Sequence, residues 1–214
     1  MTTETSVAIE CTCGVITAEV HQCKADFRLW KGGKRLTSVS RIISAIMPTD
    51  FSRIPPDVLE TAKLRGSQVD AAFCGLITGK IADYPLGTRD DSMRLVDKLV
   101  TWFDRQGFKS VQAQIVLGCH DHGGVLDLRL DGMVVDLKAT SKVEESARLQ
   151  VAAYADLACP ATSIPASPAA ILHVTERYAD ARLVPIVAQD YEDWRTTLAA
   201  WRMAQRRKPA KDED

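Results

Sequence analysis

In the stretch GVLDLRLDGMVVDLKAT, Gly124 to Thr140, three residues have the types and spacing to do chemistry: Asp127, Asp136 and Lys138. The stretch reads as two strands joined at Asp131-Gly132, a strong signal for a two-residue type I′ turn. That turn sets Leu130 against Met133, and counting outward sets Asp127 opposite Asp136. Side chains alternate along a strand. Leu126, Leu128, Leu130, Met133, Val135 and Leu137 therefore share one face, the expected core side. Asp127, Arg129, Asp136 and Lys138 share the other. Directly opposed residues have Cβ atoms about 5 Å apart, and like charges there are unfavourable. One carboxyl is protonated, a cation sits between the two, or the face is simply solvated. A hard divalent ion such as Mg²⁺ suits the second case, because it takes one or two carboxylates together with water and phosphate oxygens. Lys138, on the same face, is then placed to orient a water or to neutralise a phosphate.

The elements that must position these residues follow from pattern. Ser6 to Val39 is rich in Val, Ile, Thr and Phe and reads as short strands, with Lys31 to Lys34 (KGGK) as a hairpin turn. A short helix begins near Ser38, a suitable N-cap. The segment PPDVLETAKLRGSQVDAAFCGLITG is a long helix with Pro56 in its first turn and an apolar stripe including Val58, Leu59, Ala62, Val69, Ala72, Phe73 and Leu76. Gly66 interrupts it and suggests close packing or ligand approach. A further helix, RDDSMRLVDKLVTWFDRQGF, opens with acidic residues and stops at Gly107. SVQAQIVL alternates as a strand before the hairpin, and KVEESARLQVAAYADLA follows it as a helix. Two strands, AAILHVTE and ARLVPIV, precede a last amphipathic helix, DYEDWRTTLAAWRMAQRR. A sheet with helices on its faces is the natural packing for this order. The end, KPAKDED, is polar and expected to be disordered.

The 214 residues are 46% hydrophobic and 26% charged, with a formal net charge of −1. Near-neutrality fits an enzyme with a local basic patch better than a protein that coats a polyanion. No apolar run is long enough to span a bilayer, so no membrane partner is expected. The N-terminus lacks the features of a secretory signal, and the expected compartment is the cytoplasm. The six cysteines are then expected as reduced thiols or metal ligands. Cys11, Cys13, His21 and Cys23 form a set that zinc accepts, although their spacing is not that of a standard finger and small core residues explain them as well. That set motivates a third alternative, a small zinc-binding adaptor. His120 and His122 suggest either a transition-metal site or, as the favoured reading, solvated histidines on a flexible loop.

Taken together, Gly124 and Asp127 (Gly-x-x-Asp), Asp136-Leu137-Lys138 (Asp-x-Lys) and Gln150 with Tyr154 (Gln-x-x-x-Tyr) resemble the PD-(D/E)xK nuclease superfamily, in its RecB-like and lambda-exonuclease-like phage branch. The resemblance runs from about Leu36 to the last helix. It implies an α/β fold, a restriction-endonuclease-like mixed central sheet flanked by helices, with an N-terminal β extension. The expected division is 1–35 for the extension, 36–206 for the nuclease domain and 207–214 for the tail. It also implies a metal-dependent DNA nuclease, an exonuclease on DNA ends in phage or bacterial recombination or repair. Asp127, Asp136 and the Leu137 carbonyl would hold Mg²⁺ or Mn²⁺, and Lys138 would assist the attacking water. Gln150 and Tyr154 would line the site and contact DNA, double-stranded at an end or single-stranded. A recombinase or single-strand-binding protein, and further copies of the chain, are partners by analogy. Two positions depart from the pattern. Asp70, in RGSQVD, stands where relatives carry a histidine, and reads as a metal ligand or as a degraded motif. Gln112 or Gln114 stands where relatives carry a glutamate. These departures motivate the alternative of a catalytically weak or inactive member that binds DNA or protein. Arg65, beside Gly66, is a candidate phosphate contact or an ordinary surface arginine.

Overall fold

The computed structural model describes residues 20–23, 28–81, 84, 87–158 and 168–207. Cys11, Cys13 and the tail beyond 207 lie outside the described residues. The elements are β1 (His21–Gln22), β2 (Leu29–Lys31), β3 (Lys34–Arg35), β4 (Thr37–Ser38), α1 (Val39–Ile46), α2 (Pro56–Ile77), α3 (Asp90–Gln106), β5 (Val111–Gly118), β6 (His122–Leu130), β7 (Met133–Lys138), α4 (Glu145–Ala158), β8 (Ala169–His173), β9 (Arg182–Pro185) and α5 (Ala188–Arg206). Local chemistry accounts for several helix boundaries. The Ser38 hydroxyl accepts from the Arg41 N–H at 3.3 Å and caps α1. Pro56 opens α2, and Gly107, in the left-handed region, closes α3. Gly66 does not follow the packing expectation: a Cβ there would meet nothing within 4 Å.

β1, β2 and β3 form a small antiparallel sheet of their own, turning at Lys31 to Lys34 as expected. Cys23 is buried against Trp30 beside this sheet. The other six strands form one mixed sheet with β6 as its axis. β5 pairs antiparallel along one edge of β6. The opposite edge is shared by β4, parallel near His122, and β7, antiparallel near Leu130. β8 runs parallel to β7, and β9 antiparallel to β8. Asp131 and Gly132 both take positive φ, 47° and 86°, and Leu130 faces Met133, so the type I′ turn sets the expected register.

Helices α1, α4 and α5 cover one face of this sheet, packing on Leu126, Val134 and Ile171. Helices α2 and α3 cover the other, packing on Leu128, Leu130, Val135, Leu137 and Leu172. The expectation of one core face and one polar face is therefore corrected. The hairpin lies inside the sheet, and Val134 and Asp136 are as buried as Val135. Leu126 also leaves the face assigned to it. Gln114 has φ of 56°, which reverses the alternation. Ala113 packs toward α2 and α3, whereas Ile115 packs toward α1, α4 and α5. Its ladder neighbour β6 switches faces at the same level, between Leu126 and Leu128. His122 is a further correction. It is 4% exposed and lies against the Trp194 ring, because β4 and α5 close over the turn that carries it. His120 is exposed, as expected.

Candidate metal and active site

Asp127 sits at the switch. The β5–β6 ladder pairs Ala113 with Leu128 and Ile115 with Leu126, and skips Gln114 and Asp127 between them. On the other edge the β6–β7 ladder ends at Leu128 and Val135, one position short of Asp127 and Asp136. The expected opposition of the two aspartates is correct as a count, but the strands part there. The Asp127 carboxylate bridges the gap instead: its Oδ2 accepts the Leu137 N–H at 2.8 Å. The side chain thus satisfies a backbone donor that the ladder has abandoned.

Asp136 is 1% exposed and ion-pairs through Oδ2 with Lys138; among the described residues that oxygen has no directed hydrogen bond besides. Asp70, on α2, joins the group from the far side of the sheet switch. Its carboxylate accepts from Gln114 Nε2 at 3.3 and 3.5 Å and from the Cys74 thiol at 3.3 Å. The positive φ of Gln114 is what aims its amide at Asp70; Gln112, the other candidate, lies two residues away in regular pairing with Arg129.

Electrostatics tie these groups together. Burial, then the charges of Asp136 and Asp70, hold the Asp127 carboxyl well above the ordinary carboxylate range; Lys138 and the Leu137 N–H only partly offset this. Burial also raises Asp70, against the hydrogen bond from Cys74. Burial works against the Lys138 ammonium, but Asp136 and Asp127 outweigh it and hold it above the usual lysine value. Three carboxylates with one ammonium, from α2, β6 and β7, feel one another's charge in a poorly hydrated place. Their oxygens do not all lie within 4.8 Å of one another, so an ion held by all three draws them closer. Their chemistry suits a hard divalent cation with oxygen ligands.

Gln150 and Tyr154, one turn apart on α4, lie on the α4 side of the same site. Gln150 Nε2 donates to Tyr154 Oη at 2.9 Å. Burial and the Asp136 charge push the Tyr154 phenol upward, so it stays protonated and able to donate. Its ring explains the glycine of the Gly-x-x-Asp spacing. A Cβ on Gly124 would stand 2.3 Å from Tyr154 Cε1 and 3.0 Å from Cζ and Oη. Arg65 lies one and a half turns before Asp70 on α2, and its charge acts on Asp91 at the start of α3. Among the described residues its Nε has no hydrogen-bond partner.

Two features escape the sequence reading. Cys74, four residues after Asp70, buttresses it and reaches the Asp127 carbonyl at 3.9 Å; the i, i+4 spacing carried that signal. A cleft of about 740 Å³ opens beside Gly124 and Tyr154, lined also by Arg28, Arg35, Arg41 and Ser38. Its arginines come from the small sheet and α1, elements whose approach to Tyr154 no local pattern reveals.

Comparison with solved proteins gives the fold. The chain shares its fold with a structure from Eubacterium rectale described as a “Putative exonuclease”. The TM-score is 0.51 at 18% identity, over 80% of this chain and 79% of that one. An alkaline exonuclease from Laribacter hongkongensis aligns with a TM-score of 0.45 at 10% identity, over 80% of this chain and 88% of the other. No protein-family model matches the sequence, and no curated protein matches it. The observed architecture is the expected one, an α/β mixed sheet flanked by helices. Among the described residues, no helix is long and apolar enough to cross a membrane.

Proposed function

We propose that this chain is a metal-dependent DNA nuclease of the PD-(D/E)xK type, acting as an exonuclease on DNA ends. The observation that carries the reading is Asp127 beside the Asp136–Lys138 pair where the central ladder opens on both sides of Asp127, with Asp70 close enough to feel their charge. The fold shared with the “Putative exonuclease” supports it. Asp127, Asp136, Asp70 and the Leu137 carbonyl are the groups that would hold Mg²⁺ or Mn²⁺. Bound there, the ion supplies Lewis acidity, acidifying a water and offsetting charge on the phosphate as a phosphodiester is cut.

The protein groups have separable roles. Lys138, held protonated by its two aspartates, acts as a cation rather than a base; it orients the attacking water or pairs with a phosphate oxygen. Asp127 keeps β7 in place through Leu137 while presenting its carboxylate to the cluster. Tyr154, steadied by Gln150 and by contact with Gly124, offers a phenol O–H to the DNA strand. Arg35 and Arg41 give the adjoining cleft the charge a phosphate backbone needs, which accommodates the chain's near-neutral total. Arg65, earlier on α2 than Asp70, is a secondary phosphate contact. The nuclease domain spans 36–206, with 1–35 as an extension whose described part forms one side of the cleft.

The deciding experiment is degradation of linear and circular double-stranded DNA with Mg²⁺, Mn²⁺ or EDTA, using Lys138→Ala as control. Metal-dependent loss of linear DNA alone, absent in the variant, is the expected result. Cleaved circles would make it an endonuclease. Inert wild-type protein on double and single strands with both metals would sink the nuclease reading. It would favour a binding module, the reading motivated by aspartate in the histidine place and by uncharged Gln114.

A further inference from the structure

We propose that Cys119, Asp121 and His122 form a transition-metal site, with Zn²⁺ the ion it fits, separate from the carboxylate site. These residues belong to the connection between β5 and β6 and to the first residue of β6. The connection is closed by the Cys119 N–H donating to the His122 carbonyl at 2.9 Å. Three unlike donor atoms converge there. Cys119 Sγ lies 3.2 Å from His122 Nδ1 and 3.3 Å from Asp121 Oδ1, and His122 Nδ1 lies 2.7 Å from Asp121 Oδ1. A thiolate, an imidazole and a carboxylate are the ligand types zinc takes, and sulfur and nitrogen disfavour Mg²⁺. From zinc–ligand bond lengths, the edges of a tetrahedral site are about 3.3–3.6 Å. The observed separations are shorter by no more than about 0.6 Å, as expected of donors held together by shared protons that a metal ion replaces. His120, 77% exposed with Nε2 3.5 Å from Asp121 Oδ2, or a water, completes four ligands.

The surroundings suit a structural role. Arg202 of α5 donates to both oxygens of Asp121, at 2.8 and 3.2 Å, the kind of outer partner that fixes a metal-binding carboxylate. The Asp121 carbonyl accepts from the Thr37 N–H at the start of β4, at 3.1 Å. Trp194 packs on the His122 ring. An ion here ties the β5–β6 turn, β4 and α5 into one joint, two residues before Gly124.

The test uses the full chain stripped with a chelator and titrated with Zn²⁺ or Co²⁺. One equivalent is expected to bind, Co²⁺ to give a thiolate charge-transfer band, Zn²⁺ to raise the melting temperature, and excess Mg²⁺ not to compete. Loss of an outer-shell partner alone costs roughly 10–100-fold in affinity, so Cys119→Ser should cost more than about 100-fold. Asp121→Asn should weaken binding too, and His120→Ala, at an exposed position, less so. A cobalt band unchanged in Cys119→Ser would overturn the site and point to Cys11, Cys13 and Cys23. Wild-type melting unmoved by Zn²⁺ would also overturn it, reducing the cluster to a hydrogen-bond network. That measurement decides the matter even where a variant folds poorly, and none of these readouts depends on nuclease activity.

Discussion

Replacing Gly124 with alanine should destabilise the protein through one ring. The added Cβ falls 2.3 Å from Tyr154 Cε1. Ordinary carbon–carbon contact begins near 3.5 Å, so the ring must retreat by about 1.2 Å. Tyr154 is 4% exposed and packed in the core with α1, α4 and α5, so the ring can retreat only toward the cleft it borders, giving up core contacts as it goes. Overpacking of this kind costs about 1–3 kcal/mol. The 2.9 Å hydrogen bond from Gln150 is strained in addition, worth about 1 kcal/mol. A total of about 2–4 kcal/mol lowers the melting temperature by about 4–16 °C in a protein of this size. Thermal or urea melts of Gly124→Ala, Tyr154→Ala and the double variant would isolate the contact. Tyr154→Ala alone leaves a cavity costing about 3–5 kcal/mol. In that background the extra methyl enters vacated space and should cost nothing further, giving a coupling of about 2–4 kcal/mol. Single costs that add to within about 0.5 kcal/mol would refute the reasoning. So would a Gly124→Ala protein as stable as wild type.

Asp127→Asn keeps an acceptor for the Leu137 N–H but removes a charge, and should stabilise the metal-free protein at neutral pH by about 1 kcal/mol while abolishing DNA cleavage. The sign follows from the raised Asp127 carboxyl. Between the ordinary carboxyl range and the raised one, the folded state holds a proton the unfolded state has lost, so wild-type stability falls as pH rises. Urea melts in EDTA should therefore show the advantage of the variant near neutrality and its loss toward about pH 4. Gln114→Gly should be more stable than Gln114→Ala by about 1 kcal/mol, since alanine keeps the strain of positive φ, and both should lose activity with Asp70 unsupported; equal melting temperatures would argue against the strain. Arg148→Met strips the bidentate partner, at 2.7 and 2.8 Å, from buried Asp190 and should cost about 1–3 kcal/mol in melts with DNA cleavage retained.

The order of elements and the hairpin register were legible because both are local properties. Asp131-Gly132 fixes the turn, the turn fixes Leu130 against Met133, and alternation does the rest until Leu128. The alternation breaks one residue later, at Asp127. A positive φ at Gln114 has no sequence mark, since glutamine does not favour that region, yet it moves Leu126 to the other face. Burial on both faces was hidden for another reason. Asp127, Asp136 and Lys138 made the second face look polar, when α4 covers it and the charges are gathered in one place. Asp70 was found by motif, but its support by Cys74 and Gln114 joins positions four and 44 residues apart, and only the second needs the tertiary fold. His122 was misjudged because Cys119 to His122 reads as a polar loop, and only the arrival of β4 and α5 buries it.

The same irregularity that defeated the alternation argument is what makes a site in the middle of a sheet feasible. In an unbroken ladder Asp127 would face Gln114 on one side and Asp136 on the other at fixed spacing, with its carboxylate pressed under a covering helix. Dropping both pairings frees the carboxylate to turn toward the Leu137 N–H and opens room between β6 and β7. The lost ladder bond does not orphan the Leu137 N–H, because the Asp127 side chain replaces the carbonyl that would have served it. The raised carboxyls of Asp127 and Asp70 are then the energetic signature of acidic groups crowded together in a poorly hydrated place. A sheet optimised for stability would neutralise one of these aspartates, and the Asp127→Asn melt measures how far this one departs from that optimum.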